Sequence, residues 1–396
     1  MTLNILQLPP ELIAHVLKFL SSSDLATVAL VSKQCRDLVS LESLWQHRCG
    51  QDYSFDEVEG WDLTYKQFYT KVLHKFGNCI GKWQPEVGHY GGLIDIKFDR
   101  GCIKGRECLP PVDPHVDQPL RIRPLFSMSM ALDRSTLEVF CLKGFNGPHK
   151  GQLLWREDGS LLVFQCSENN NHQHPEGKQK EFEEWLTEET GRPPSEFFVH
   201  GQELLLMKFL VTTQLGCSYP MMRITEQPVK PGAPIQPGLF KGNYGGHGNE
   251  IIQLSYSDTE KKAEGRKITG DPNVPANKMS LQIDLDHPMI LTMDQQRTVE
   301  LMEEIDIPEL PPDVNLQQLP PQPFHVPDDC YERFRHPPTV CRARFHGKGQ
   351  IAGHGFTNPS MSSGHFIIFD DHNFGFLWLE LKSFSMYSRV LEFPCL

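Results

Sequence analysis

No stretch of this sequence approaches the roughly 20 consecutive apolar residues that a membrane-spanning helix needs. The run from Leu12 to Leu20 is interrupted by His15 and Lys18, and no small-residue cleavage site follows it. Membrane insertion and a secretory leader are therefore not expected, and the chain reads as soluble. Basic residues are not in excess either: 38 Lys and Arg stand against 50 Asp and Glu, a formal net charge of -12. Nucleic acid and anionic membranes both call for a basic field, so neither is an expected partner. There is no repeat at a fixed period, no nucleophile motif, no phosphate loop and no metallohydrolase signature. The 11 cysteines are odd in number and irregular in spacing. With no secretion signal, they read as reduced thiols, with metal ligation open to some of them, and not as a disulfide framework.

What the sequence does hold is enough apolar material for a core. Its 396 residues include 24 Phe and 6 Trp, and the length suits one small domain plus one large one. The first fifty residues have helical periodicity. Leu12, Val16, Phe19 and Leu20 fall on one stripe, and Leu25, Val28 and Val31 on another. Pro9 and Pro10 stand where a helix begins, and Ser23 or Asp24 can cap the next one. Residues 62–76 form a further amphipathic helix that ends at Gly77. From Trp83 the period changes to two, first in residues 93–99 and then in many short runs separated by Gly, Pro, Asp and Asn. That pattern indicates a sandwich or barrel. Helical stretches at 180–189 and from Ser195 to about Thr212 interrupt it. Residues 226–237 and 307–327 are rich in proline, and the second reads as an insertion within one domain.

The segment Leu8-Pro9-Pro10-Glu11-Leu12-Ile13, followed by Leu17, Leu20, Asp24-Leu25, Val28, Val31-Ser32-Lys33, Cys35-Arg36 and Leu44-Trp45, resembles the F-box. A module this short cannot bury all its own Leu, Val and Trp, so an apolar remainder should face a partner. The resemblance implies that the partner is the Skp-type adaptor of a cullin ubiquitin ligase, docked through Leu8, Pro9, Leu12, Leu20, Leu25 and Trp45. Further segments extend the likeness. They include Trp83-Gln84-Pro85, Leu109-Pro110-Pro111, Pro237-Gly238-Leu239-Phe240-Lys241-Gly242, Lys267-Ile268-Thr269-Gly270-Asp271-Pro272-Asn273, Ile351-Ala352-Gly353-His354-Gly355-Phe356-Thr357 and Phe374-Gly375-Phe376 through Ser385. Together they resemble the F-box only protein 31 family along nearly the whole chain. The implied architecture is α+β. It comprises a helical F-box at 1–50, a helical connector at 51–80, and a large β-barrel-like substrate domain at 81–396, with a few helices and a Pro-rich insertion at about 307–327.

Cys141 with His149 and Cys166 with His172 form two strand-then-loop units, each offering one thiol and one imidazole. As neighbours they would make a tetrahedral structural zinc site. The spacing alone leaves core thiols and solvated histidines equally open, and His174 could replace His172. The family resemblance implies that all four are zinc ligands.

Receptors of this kind take a short degron on loops at one end of the β domain. Three glycine-rich stretches are candidates: one with Tyr244 and His247, one with Thr269, Asp271 and Asn273, and one with His354 and Phe356. Each also reads as a plain turn. The resemblance implies substrates presented by their C-termini, among them D-type cyclins and proteins bearing a C-terminal amide, and a place in cell-cycle and DNA-damage control. A terminal amide offers two donors where a carboxylate only accepts, so an Asp near the terminus would favour the amide. Asp271 is the expected acceptor, with Thr269 and Asn273 supporting it. The resemblance makes the chain a non-catalytic receptor joined through the adaptor to cullin and RING subunits. Its expected location is the cytoplasm, with centrosome and nucleus as alternatives. Two other functions stay open. One is an F-box scaffold. The other is a metal-dependent hydrolase using Asp113, His115 and Asp117, with His247 or His354 as base.

Overall fold

A computed structural model of the chain describes residues 8–55, 57–156, 160–166, 169–196, 199–213, 217–257, 261–304, 309–311, 320–333 and 336–391. Helices α1 (Pro10–Leu17), α2 (Ser22–Val31), α3 (Lys33–Val39) and α4 (Glu42–Tyr53) form the N-terminal module. Pro10 occupies the first helical position of α1, where a missing N–H leaves nothing unsatisfied. The cap of α2 is Ser21, whose Oγ accepts from the Asp24 amide at 3.1 Å, and not Ser23 or Asp24 as expected. Ser32 caps α3 in the same way through the Cys35 amide.

The inward face of α1 is Ile13 and Leu17, which pack with Leu25, Val39, Leu44 and Trp45. Of the expected stripe, Leu12, Val16 and Phe19 face outward, Phe19 being 80% exposed, while Leu20 is half-buried against the core. After α4, Thr64 forms a capping box with Gln67 and opens α5 (Tyr65–Phe68), which runs through a π-helical turn at Tyr69–Leu73 into α6 (His74–Phe76). Asp62, expected inside this helix, precedes it in a left-handed backbone conformation.

The β region expected as one domain is two closed antiparallel barrels. The first runs in chain order through β1 (Gly81–Pro85), β2 (Ile94–Asp99), β3 (Cys102–Leu109), β4 (Arg121–Met130), β5 (Leu137–Cys141), β6 (His149–Trp155), β7 (Leu162–Cys166) and β8 (Ser218–Arg223), and β8 closes on β1. Two helices, α7 (Lys178–Thr190) and α8 (Val199–Thr213), lie between β7 and β8. The second barrel begins with β9 (Gly238–Asn243), β10 (Asn249–Tyr256), β11 (Lys262–Lys267) and β12 (Met279–Asp284). The chain then leaves through α9 (Val299–Glu304) and the short strands β13 (Gln322–Pro323), β14 (Tyr331–Glu332) and β15 (Val340–Cys341). It returns in β16 (Ala343–Gly353), β17 (Thr357–Ile368), β18 (Asn373–Trp378) and β19 (Ser383–Arg389), and β19 pairs with β9 to close the barrel. Among the described residues only β14 runs parallel to its neighbour, adding to β19 outside the closed ring.

Burial explains the sequence patterns. In β18 the residues Phe374, Phe376 and Trp378 fill the barrel interior, while Leu377 on the other face packs under the excursion through Met289, Val299, Met302 and Phe324. A strand covered on both faces reads as a continuous apolar run, which is how this one is written. Of the Pro-rich insertion at 307–327, residues 307–308 and 312–319 lie outside the described residues. Its end does not read as a loose linker: Gln322–Pro323 pairs with Val340–Cys341, and Phe324 is buried.

Two junctions make these parts one body. Phe98 of β2 packs at tilted or edge-on angles against Phe55, Trp61 and Phe68, with ring-centroid distances of 4.2, 6.3 and 6.0 Å, so the N-terminal module and the first barrel share a continuous core. The barrels meet through Leu93, Cys108, Leu120, Ile224, Leu239, Ile251 and Ile268. Gln84 Nε2 donates to the Ile268 carbonyl at 2.7 Å, and Gly91 bridges Thr269. Gly91 has a positive φ of 57°, and a Cβ there would lie 2.4 Å from the Ile268 oxygen. Only glycine allows that approach.

Candidate substrate cavity and metal centre

Where the barrels meet, a cavity of about 1160 Å³ is walled by the first barrel, by α7 and α8, and by loops of the second barrel. Its charged walls are largely self-paired. Glu189 of α7 takes Lys208 of α8 at 2.6 Å and Arg121 of β4 at 2.9 Å. Burial opposes ionisation of Glu189, but these two cations outweigh it and hold the carboxyl down to about 2. Arg123 bridges Glu188 at 2.9 Å and Glu107 at 3.6 Å.

The second-barrel wall carries a deeper cluster. Lys267 is 1% exposed, and its Nζ lies 2.6 Å from Glu250 Oε2 and 2.7 Å from Asp271 Oδ2. Two buried carboxylates therefore share one ammonium. Burial raises Glu250, with Asp271 adding repulsion and Lys267 only partly offsetting it, so its carboxyl stands at about 8. Asp271 is also opposed by burial, yet Lys267 and its hydrogen bonds bring it to about 2. The pair thus carries one negative charge near neutral pH, matched to one lysine. Lys267 is absent from the sequence-level candidates, although a signal for it existed. In β11 the buried phase is Ala263, Gly265, Lys267, so period two places this lysine inside.

The structure brings some of the expected substrate residues together and not others. Thr269, Asp271, Asn273, His247 and His354 all line the cavity. Thr269 and Asn273 also have structural duties: Thr269 Oγ1 accepts from the Ile251 amide at 2.7 Å, and Asn273 Nδ2 donates to the Ala352 carbonyl at 2.9 Å. Tyr244 and Phe356 are not part of the wall. The Tyr244 hydroxyl bonds Ser280 at 2.9 Å and its ring lies under Lys267, while the Phe356 ring lies under Lys278. Of the adaptor-facing set, Pro9 and Leu12 are exposed, and Leu8 and Leu20 are half-buried. Leu25 and Trp45 belong to the interior, the Trp45 indole N–H donating to the Val39 carbonyl at 2.6 Å. Among the described residues those raised as hydrolase ligands form no metal-ligand group: Asp113 pairs with Arg333 at 2.6 Å, and His115 and Asp117 are exposed.

Cys141, His149, Cys166 and His172 do converge, with ligand atoms all within 4.8 Å of one another. His172 Nε2 lies 3.5 Å from Cys141 Sγ, 3.4 Å from Cys166 Sγ and 3.2 Å from His149 Nε2. Tetrahedral bonds of about 2.3 Å to sulfur and 2.05 Å to nitrogen give S···N edges of about 3.5 Å and an N···N edge of about 3.3 Å. The cluster has the size of a metal tetrahedron, and these four residues could hold an ion. His174 is elsewhere, accepting from the Glu176 amide and facing Glu184. The β5–β6 and β6–β7 pairings set Cys141 opposite His149 and Gly151 opposite Cys166, and a turn of 3-10 helix at Asn169–His172 delivers the fourth ligand. His172 also lines the cavity, beside Gly144 and Phe145. Cys108 is buried as expected, whereas Cys102 is only half-buried.

Comparison with known proteins assigns these parts. Residues 5–51 match the F-box-like family, and residues 221–392, essentially the second barrel, match the Cyclin D1 binding domain. An F-box welded to a β-rich capture domain is the layout of a ubiquitin-ligase receptor that performs no catalysis itself. The chain is 37% identical to F-box only protein 31 of Rattus norvegicus and of Mus musculus, over 98% of its own length and 85% of theirs. It is 36% identical to F-box only protein 31 of Homo sapiens, over 98% of its length and 83% of that protein. The chain belongs to the F-box only protein 31 family. No helix among the described residues is long and apolar enough to cross a membrane.

Proposed function

We propose that this protein is the substrate-recognition subunit of an SCF-type ubiquitin ligase, and that its cavity captures the C-termini of proteins marked for degradation. The observation that carries the reading is the cavity itself. It is large enough for several residues of a peptide, it is walled by two barrels and two helices, and it lies on a body that shares a hydrophobic core with the F-box. A pocket closed on so many sides admits a chain end more readily than a chain passing through. The adaptor takes apolar side chains that the N-terminal module leaves exposed, Leu12, Val16 and Phe19 on and just after α1 and Leu30 and Val31 at the end of α2, and cullin and RING subunits follow through it. Substrates then include D-type cyclins, in keeping with the matched family, and proteins ending in a carboxamide.

The metal is zinc, held by Cys141, His149, Cys166 and His172. Two thiolates and two imidazoles suit that ion, and four protein ligands leave no open position for catalysis. The ion would tie β5, β6, β7 and the 169–172 turn together behind one cavity wall. The thiol chemistry fits a reducing compartment, cytoplasm or nucleus. The test is a reconstituted ligase with the Skp-type adaptor, cullin and RING subunits. Substrates that end in a carboxamide should be ubiquitinated, and the same substrates with the terminal residues deleted should not. Equal modification of both sets refutes C-terminal capture.

A further inference from the structure

Asp271 is poorly placed to be the atom that reads a substrate terminus. Its Oδ1 already accepts from the amides of Asn273 at 2.6 Å and Val274 at 3.0 Å, and its Oδ2 takes Lys267 at 2.7 Å. The residue is 4% exposed. In front of it stands His247, whose side chain is 42% exposed, with Nδ1 facing Asp271 Oδ1 at 3.8 Å. At that separation the two are not hydrogen-bonded, but the carboxylate's charge favours a proton on the nearer nitrogen and leaves the farther one as an acceptor.

We propose that His247, positioned by Asp271, is the specificity-determining group of the cavity, its Nε2 accepting a hydrogen bond from a terminal carboxamide when neutral and donating one to a terminal carboxylate when protonated. This rests on the C-terminus reading above. The neutral ring has an acceptor that only the amide can satisfy, because a carboxylate has no hydrogen to give. Protonation turns both ring nitrogens into donors and adds a positive charge, which favours the carboxylate.

The surroundings keep the ring neutral at ordinary pH. Burial lowers its basicity, Asp271 raises it and Lys267 lowers it again, with a net fall below the usual histidine value. The other charged groups near it are Glu250, which shares Lys267, and Arg333, which donates to the Gly245 carbonyl and pairs with Asp113. His354 also lines the cavity. Asp271 stays anionic throughout the useful range, and Glu250 completes its protonation above it.

The experiment uses the full chain with its adaptor and two fluorescent peptides of one sequence, one ending in a carboxamide and one in a free acid. Affinities are measured by anisotropy between about pH 7 and pH 5, where the peptide carboxylate remains ionised. The amide-over-acid preference of the wild type should fall as the pH is lowered through that range. In His247→Gln, a substitution at a half-exposed position, the preference should no longer change with pH. Asp271→Asn should move the midpoint to lower pH, because it removes the anion that raises the ring's basicity, and His346→Gln, at a histidine outside the cavity wall, should leave it in place. Melting curves establish that each variant is folded. A wild-type preference that is flat in pH, or a pH dependence that survives His247→Gln, overturns the inference while leaving the receptor reading intact. Two peptides that bind equally to the wild type at every pH, or not at all, refute amide capture and this inference with it.

Discussion

If zinc binds at Cys141, His149, Cys166 and His172, the stability of the first barrel must depend on the concentration of free zinc. The four donors come from β5, β6, β7 and the following turn, and they gather only when those strands are paired. The folded chain therefore binds the ion far better than the unfolded chain. Stabilisation follows RT ln(1 + [Zn]/Kd), about 4 kcal/mol when free zinc is a thousandfold above Kd, and each further tenfold adds about 1.4 kcal/mol. For a unit the size of this barrel, 1 kcal/mol shifts the midpoint by roughly 2–4 °C, so the transition should rise by about 8–16 °C over that range. Cys166→Ser removes one thiolate and should abolish both the metal and the concentration dependence. The assay is scanning calorimetry in zinc buffers, with elemental analysis of the purified chain, which should carry about one zinc. A midpoint that ignores free zinc, or a Cys166→Ser variant that retains the wild-type slope, refutes the assignment.

Replacing Leu12 and Phe19 together by Ala should weaken adaptor binding at least about tenfold while the melting temperature holds, because both side chains already lie in solvent and each contributes about 1.5–3 kcal/mol only when a partner buries it. Unchanged co-purification would remove this face from the interface. Lys267→Met leaves Glu250 and Asp271 buried without their shared cation and should cost about 3–5 kcal/mol in denaturant unfolding; a loss under about 1 kcal/mol would show that the cluster relaxes to solvent. Glu250 titrates at about 8 when folded against 4.5 for the free side chain. The folded state keeps a proton that the unfolded state has lost, so stability should fall as pH rises between those values. Glu250→Gln should flatten that decline in urea midpoints, and a decline of wild-type steepness in the variant would contradict the burial argument.

Much of this molecule could be read along the chain. The F-box was legible because its apolar spacing and its start are local: Pro10 starts α1, although the cap of α2 fell at Ser21 and not at Ser23 or Asp24, a shift that spacing alone does not fix. Strands such as β3 and β18 announced themselves by period two or by unbroken apolar runs. The metal ligands were only half legible: two strand-then-loop units each offered a Cys and a His, but the resemblance was needed to favour a metal over core thiols, and only the fold separates His172 from His174. Strands β1, β8, β9 and β11 were harder. They are rich in Gly, Pro, Lys and polar residues and owe their conformation to neighbours on both sides. Even the polarity of α1 was ambiguous, since Leu12, Val16 and Phe19 make as good a stripe as Ile13 and Leu17, and only packing on Trp45 and Leu44 selects the second.

The sequence by itself determined that a helical docking module precedes a β-rich domain, since this follows from local propensity and the change of hydrophobic period, while the choice of Cys141, His149, Cys166 and His172 over core thiols needed the family resemblance and then their convergence in the fold. Tertiary structure alone decided that the β region closes into two barrels, because closure rests on pairings such as Tyr387 with Gly242, separated by most of a domain. It also decided that Lys267 neutralises Asp271 and Glu250, that His247 and not Asp271 stands forward in the cavity, and that Tyr244 and Phe356 turn away from it. Those outcomes depend on which charges are buried together, and burial is a property of the folded chain, not of any one segment.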